Sequence, residues 1–266
     1  MTGSADDWLA RFGEGAPEPP KPDPVRAAQG AMRAPLPKRF YREVTTAPGE
    51  GGTLVLLDGR AARTPARHPF ALPTPALAEA VAAEWRAQEG VIDPARMPLT
   101  KLANSAIDGV APRRDEVIAD LVRYAGSDLL CYRADAPSRL VQEQSAAWDP
   151  VLASLSQRLG AGFTLSQGVT HVAQPEAAVA AVRASLADEP AFRLAALHVM
   201  TTLTGSVLLA LAHAGGVLTA EEAWAAAHVD ETYQESVWGR DEEAMARRDV
   251  RRAEFMGAAW FYGLAV

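Results

Sequence analysis

The chain has 266 residues, a formal net charge of −7 and a single cysteine, Cys131. A chain of this length buries most of the surface that its unfolded form exposes, so it needs no disulfide or structural metal to hold a core. The acidic balance argues against a nucleic-acid-binding domain and against attraction to anionic lipid. The lone cysteine excludes an intrachain disulfide and any multi-cysteine metal site, and we interpret it as a small core residue in a reducing compartment.

The first 37 residues are predicted to form a Pro-rich arm. Residues 13–37 contain seven prolines with charges between them, a composition that cannot bury enough surface to fold alone. The segment before them has acidic residues and no apolar run, which is wrong for a secretory signal and too acidic for a transit peptide. The sequence therefore predicts a cytoplasmic protein.

Short strands are predicted after the arm, over residues 39–45, 53–57 and 60–63. The Asp58-Gly59 pair between the last two is a strong hairpin signal, because both central residues of a type I′ turn need positive φ. Helices dominate from there. Thr74 followed by a proline predicts an N-cap, and the helix it opens should place Leu77, Val81 and Trp85 along one buried side. Further helices are predicted over residues 98–108 and 112–124.

Residues 194–220 contain no Asp, Glu, Lys or Arg and are long enough to span a bilayer. Against a membrane span, the stretch contains two histidines, several hydroxyl side chains and the Gly215-Gly216 pair, and it lacks flanking anchors. A helix that is apolar on every side is also what the centre of a helical bundle requires. The sequence therefore favours a buried helix.

Near the C-terminus, aromatic and acidic side chains recur at helical spacing. A capping box of Thr219 and Glu222 predicts where this helix begins. One side carries Trp224, His228, Glu231, Glu235, Trp238 and Glu242, and the opposite side carries Ala226, Val229, Tyr233, Val237 and Ala244. Two interpretations stay open. Indoles ringed by charge form a protein-binding surface, or the tryptophans lie beneath a neighbouring element and the carboxylates are merely solvated.

A basic run follows this stripe. Its members are Arg247, Arg248, Arg251 and Arg252, interleaved with Asp249 and Glu254. Because the signs are mixed, we interpret the run as a solvated helix end whose cations complement the helix dipole.

No catalytic motif is recognisable. The sequence has no Gly-rich phosphate loop, no Gly-x-Ser-x-Gly elbow and no His-Glu-x-x-His pair. The five histidines are too far apart to form a local metal motif, and each is interpreted as structural. Glu231 and Glu235 lie one helical turn apart, but di-metal carboxylate bundles pair Glu with a His three residues on, and that partner is missing.

An ordered set of motifs resembles one protein family. The motifs are Lys38-Arg39-Phe40-Tyr41, Leu57-Asp58-Gly59-Arg60 with Thr64-Pro65, Glu84-Trp85, Met97-Pro98-Leu99-Thr100, Asp128 with Cys131-Tyr132-Arg133, Trp148-Asp149-Pro150, and Glu231 with Tyr233-Gln234, Trp238-Gly239 and Glu242. The motifs run in order from about residue 37 to about residue 250, and the last two motifs are the most specific. In them the chain resembles the assembly chaperone for the alpha subunit of the F-type ATP synthase.

The resemblance implies a fold and a function. Members of this family are similar in having a small α+β N-terminal domain and a helical C-terminal domain. They bind the unassembled alpha subunit and hand it on when the beta subunit arrives, without ATP, metal or other cofactor. The resemblance implies a partner-binding site at Glu231, Gln234, Glu235, Trp238 and Glu242, with Glu242 as the principal residue. Nothing is carried over for the arm or for the segment after Arg252.

The sequence thus predicts an α+β protein without a cofactor. Its parts are the Pro-rich arm (1–37), a small N-terminal α/β domain with antiparallel strands (38–110) and an all-helical bundle domain (111–266). We expect a monomer when free that binds the alpha subunit and inserts into no membrane. Two other classes remain. An enzyme would use an interdomain cleft with Asp128, Arg133 or the carboxylates near the C-terminus as acid and base, and a structural scaffold would bind without release.

Overall fold

A small antiparallel sheet opens the described part of the chain. The computed structural model describes residues 36–168 and 170–266, so the predicted arm, apart from its last two residues, lies outside the described residues. The strands of the sheet are β1 Val44–Gly49, β2 Gly52–Leu57, β3 Arg60–Ala61 and β4 Ala71–Leu72. β2 pairs with β1 along one edge and with both β3 and β4 along the other. The predicted antiparallel N-terminal sheet is therefore confirmed.

Two tight turns fix the position of β2. Asp58 and Gly59 both have positive φ, 48° and 76°, which confirms the predicted hairpin turn. The carboxylate of Asp58 also accepts two backbone hydrogen bonds, at 2.9 and 2.8 Å, from the segment before β1. At the start of β2, Gly52 has a φ of 145°, and a Cβ there would lie 2.2 Å from the carbonyl oxygen of Leu72. Only glycine fits that position.

The predicted first strand was placed wrongly. β1 begins at Val44 rather than at residue 39 and continues to Gly49. Before it, the chain runs beside the segment that follows the first helix, where the N–H of Arg39 donates to the carbonyl oxygen of Gly90 at 2.9 Å. The shift follows from a second hairpin turn through Gly51 (φ 79°), which the alternation of residue types did not reveal.

Ten helices are present in the described part of the chain. They are α1 Pro75–Arg86, α2 Pro98–Asn104, α3 Arg114–Ala125, α4 Ser138–Leu159, α5 Glu176–Leu186, α6 Ala191–Thr204, α7 Val207–Ala214, α8 Ala220–Ala227, α9 Val229–Trp238 and α10 Glu242–Leu264. A π-helical turn, Ser105–Val110, continues α2. Two short strands, β5 Tyr132–Arg133 and β6 Ser166–Gln167, pair in parallel between helices. The predicted mostly helical C-terminal part is confirmed.

The first helix packs as its sequence predicts. The hydroxyl of Thr74 accepts a hydrogen bond from the N–H of Leu77 at 3.1 Å, which confirms the N-cap. Leu77 and Val81 are fully buried. Trp85 is half-buried at the edge of the core, with its ring 5.5 Å from the ring of Tyr41. The predicted apolar side of α1 is therefore the side that covers the sheet.

The uncharged stretch over residues 194–220 lies inside the helical part. It forms two helices rather than one, because Gly205 adopts a left-handed φ of 70° and ends α6. Most side chains of α6 and α7 are buried against neighbouring helices. Within the described residues, no helix is both long enough and apolar enough to cross a bilayer. The predicted buried helical stretch is confirmed, with a break at Gly205.

The C-terminal helix connects the sheet region to the bundle. α10 packs along α6 and also contacts α1 and α2. Its end lies at the start of α1, where the hydroxyl of Thr74 donates to the carbonyl oxygen of Leu264 at 2.5 Å. Residues Lys38–Val266 form one compact unit. The predicted domain boundary at residue 110 stays a prediction.

Candidate functional site

The predicted C-terminal helix is three helices, not one. Thr219 and Glu222 do form a capping box, but α8 ends at His228, whose φ and ψ are −121° and 27°. α9 then ends at Gly239, with φ 88° and ψ 175°, a conformation that is essentially open only to glycine. Asp241 caps the next helix by accepting hydrogen bonds from two backbone N–H groups, at 2.9 and 3.1 Å. α9 and α10 are therefore separate helices joined by a short turn, and Glu235 of α9 contacts Arg248 of α10; we call the two helices the α9–α10 hairpin.

The two breaks divide the predicted stripe between core and surface. Trp224 is only 6% exposed, and its ring lies 5.5 Å from that of Phe255 in the core. His228 is also buried; its Nδ1 lies 2.8 Å from the carbonyl oxygen of Trp224, and burial lowers the pKa of its ring. Trp238, in contrast, is 77% exposed, and Val237 on the predicted core side is 50% exposed. The prediction of a single two-sided helix is therefore wrong.

Four of the five predicted partner-binding residues line one groove. This α9–α10 groove has a volume of about 390 Å³. Its α9 wall includes Glu231, Gln234, Glu235 and Trp238, and its α10 wall includes Arg247, Arg248 and Arg251. Glu242 is the first residue of α10 and is exposed, but it does not line the groove.

An ion pair joins the two walls of the groove. Nη1 of Arg248 lies 2.8 Å from Oε1 of Glu235, and both side chains are about three-quarters buried, at 26% and 24% exposure. Arg251 donates to the carbonyl oxygen of Leu203 at 2.6 Å, which ties the α10 wall to α6. Glu235, predicted to bind the partner, is therefore engaged within the chain. A partly buried pair between two helices holds their relative position.

The arginines of the groove lie in a different place from the one predicted. The basic run was predicted to be a solvated helix end, but it lies in the first half of α10, and its members Arg247, Arg248 and Arg251 face α9. Their spacing of one, three and four residues is the signal that places them on one helical face. This face turns toward α9 only because the helix breaks at Gly239, and residue spacing does not show that break.

Glu231 and Glu242 are among the carboxylates of the hairpin that remain free for a partner. Glu235 pairs with Arg248 and Asp241 caps α10, whereas Glu243 pairs with Arg247. Glu231 and Glu242 are exposed and form no hydrogen bond or ion pair with other described residues. Together with the exposed indole of Trp238, they are the groups on this surface that can meet a partner's cationic and apolar side chains.

The enzyme alternative finds no support at Asp128. This side chain has no exposed surface, and its carboxylate accepts hydrogen bonds from the hydroxyl of Ser206 at 2.6 Å and from the N–H groups of Leu130 and Leu208 at 3.1 Å each. Burial raises the pKa of Asp128 to about 6. The carboxylate joins the turn before β5 to the corner between α6 and α7, and it has no path to a substrate.

Arg133 and Cys131 are equally structural. Arg133 donates to the carbonyl oxygen of Leu130 at 2.9 Å, pairs with Asp149 at 2.7 Å and lies 5.1 Å above the ring of Trp148. Cys131 is a free, buried thiol, and burial raises its pKa to about 12, far from the thiolate that a nucleophile needs. No group of three metal-binding side chains occurs among residues 36–168 and 170–266.

The α9–α10 groove is open, carries both signs of charge and includes the exposed indole of Trp238. The sequence profile of the family described as ATP12 chaperone protein matches residues 38–156. The chain belongs to the ATP12 chaperone family.

Solved and curated relatives agree with this assignment. The crystal structure of Atp12 from Paracoccus denitrificans is 45% identical, with a TM-score of 0.83 over 86% of this chain and 99% of that chain. A solved protein from Agrobacterium tumefaciens is 48% identical, with a TM-score of 0.84 over 92% of each chain. The mitochondrial protein atp12 of Schizosaccharomyces pombe is 26% identical over 79% of this chain and 78% of its own length.

Proposed function

We propose that this protein is an assembly chaperone of the F-type ATP synthase that binds the unassembled alpha subunit, prevents its aggregation and releases it to the beta subunit. Membership of the ATP12 chaperone family supports this role. A free alpha subunit exposes apolar surface that its neighbours cover in the finished complex, and such surface aggregates. The protein acts in the cytoplasm as a monomer when free, without cofactor, nucleic acid or catalytic step.

The binding surface we assign is the α9–α10 hairpin. The observation that carries it is that the hairpin presents two exposed, unpaired carboxylates, Glu231 and Glu242, together with the 77% exposed ring of Trp238. Gln234 lies between Glu231 and Trp238 on the same wall of the groove and adds an amide that can donate and accept. Glu235 serves the site by holding the two helices together. The complementary surface on the alpha subunit therefore presents basic side chains next to apolar ones.

Reversible capture explains why the surface is mixed. A chaperone that covered its partner with a wide apolar face would release it slowly, whereas exposed carboxylates lose little when the partner leaves, because water solvates them again. The fixed structural scaffold, which binds without release, differs in this respect.

The proposal is tested with purified alpha subunit diluted from denaturant. We expect this protein to suppress the light scattering of the aggregating subunit at equimolar concentration, and addition of the beta subunit should displace it. Failure to suppress aggregation would refute the proposal. Suppression without displacement by the beta subunit would favour the scaffold alternative.

A further inference from the structure

The helix that carries most of the proposed binding surface is held in place by few contacts. No residue of α9 is fully buried, and α4 is its main neighbour. Side chains of a peripheral helix keep a defined geometry only if specific bonds fix the helix. Besides the ion pair from Glu235 to Arg248 that ties it to α10, α9 is therefore fixed by the side chains of α4 that bond to it.

One buried amide on α4 bonds directly to α9. Gln144 is 2% exposed, and its Nε2 donates to Oδ1 of Asp230 at 2.7 Å. Its Oε1 accepts from the N–H of Ala134 at 2.8 Å, in the loop that precedes α4. The orientation of this amide is fixed by chemistry, because a backbone N–H can only donate and a carboxylate can only accept.

The other contacts between α4 and this region are different in kind. Arg139 lies 5.5 Å above the ring of Tyr233, but its side chain is 62% exposed and can move. Nε1 of Trp148 donates to the carbonyl oxygen of Ala226 at 2.7 Å, which fixes α8 rather than α9. The bond from Gln144 is thus the buried, directional one.

Asp230 directly precedes Glu231 in the first turn of α9. A change at the bond between Gln144 and Asp230 therefore tilts or rotates the helix that presents Glu231, Gln234 and Trp238. A displacement of 1 Å is enough to misalign a hydrogen-bonded interface.

We propose that Gln144 is a positioning residue for partner binding: it sets the orientation of α9 through Asp230 without touching the partner. The proposal rests on the proposed function for its binding readout. In the free protein, the same bond fixes α9 on α4.

An exchange of chemical groups between the two positions tests it. Gln144→Glu keeps the acceptor for Ala134 but sets a carboxylate against Asp230, so binding of the alpha subunit should weaken by about tenfold or more. Asp230→Asn alone retains an acceptor for Gln144 and should stay within about threefold of the wild type. In the double variant Gln144→Glu with Asp230→Asn, the new amide donates to the new carboxylate, and affinity should return to within about threefold of the wild type.

Hydrogen exchange of the free protein gives a readout independent of the partner. In Gln144→Glu the amides of α9 should exchange faster than in the wild type, while those of α6 stay protected, and the double variant should restore protection. If Gln144→Glu does not fold, Gln144→Met removes both hydrogen bonds without adding charge and takes its place.

The outcomes separate this proposal from the proposed function. A folded Gln144→Glu protein with wild-type affinity and wild-type α9 protection would overturn the positioning role, as would a double variant as weak as the single one. If the wild type itself fails to bind the alpha subunit, the proposed function fails, and the exchange rates of α9 still decide whether Gln144 fixes this helix.

Discussion

Charge reversal at Glu242 separates stability from partner binding. Glu242 is the first residue of α10, where unpaired backbone N–H groups leave a partial positive charge. Glu242→Lys loses a favourable interaction with that charge and adds an unfavourable one, at about 0.5 kcal/mol each. The side chain is exposed and has no partner among the described residues. The free energy of unfolding should therefore fall by about 1 kcal/mol, or about 3 °C in Tm for a chain of this size.

Binding should suffer far more than stability. At an interface the new lysine replaces attraction to a basic partner surface with repulsion and leaves the partner's cation unpaired. We expect a loss of about 3 kcal/mol, which is about 100-fold in Kd. Suppression of alpha-subunit aggregation at equimolar concentration should then be lost, although the variant remains folded at the temperature of the assay.

Glu243→Lys is the matched control. Glu243 is the next residue of α10, is 83% exposed, and its reversal makes the same change in net charge at the same helix end. It breaks the exposed ion pair with Arg247, which contributes little to stability. Tm should fall by a similar amount, but capture of the alpha subunit should remain. If Glu242→Lys suppresses aggregation as well as the wild type, the reasoning is refuted, and the binding surface must be sought in the N-terminal sheet region.

The remaining predictions concern stability and are measured by urea unfolding. Trp85→Arg should lower the free energy of unfolding by about 3 kcal/mol, because a charge replaces a ring packed at the core edge; an unchanged midpoint would contradict this packing. Gly257→Ala should raise it by about 1 kcal/mol, since the new Cβ meets only Pro98 at 3.9 Å, and Gly263→Ala in the same helix should match it. A raised pKa means that folded Asp128 binds its proton more tightly than the unfolded chain does, so its contribution to stability is full below pH 4 or so and is lost as pH rises through about 6. The difference between wild type and Asp128→Asn should follow that curve, and a pH-independent difference would rule it out.

Local chemistry explains which elements could be predicted from the sequence. The Asp58-Gly59 turn, the N-cap at Thr74 and the capping box at Thr219 each depend on residues no more than a few positions apart. The family resemblance, which uses many such segments in order, was confirmed by the comparisons. These signals need no knowledge of distant contacts.

The errors arose where a periodic pattern continued across a break. Spacing from Trp224 to Glu242 fits one helix, but Gly239 takes a conformation that reverses the chain, and His228 ends α8 one residue before α9 begins. A single helix continued through both breaks would place the buried Trp224 and the exposed Trp238 on the same side. A single glycine within a helical pattern is tolerated in many helices, so periodicity alone cannot decide where the helix ends.

The candidate site depends on contacts that sequence spacing cannot supply. Arg248 is thirteen residues from Glu235, and Gln144 is 86 residues from Asp230. Both bonds exist only because the hairpin folds back and α4 passes beneath α9. The sequence could therefore predict which types of residue form the site. It could not distinguish the free Glu231 from the paired Glu235. Their roles stay predictions until the variants are measured.

In the proposed arrangement, stability and recognition use different parts of α10. Phe255, Phe261 and Tyr262 in its second half are buried in the core, where Phe255 lies against Trp224 of α8 and Phe261 against Phe192 of α6. Its first half carries exposed charges and the α10 wall of the groove. A chaperone benefits from this division, because its binding residues can be chosen for moderate, reversible affinity while the core alone maintains the fold. The same division explains why charge reversal in the first turn of α10 should abolish capture without unfolding the protein.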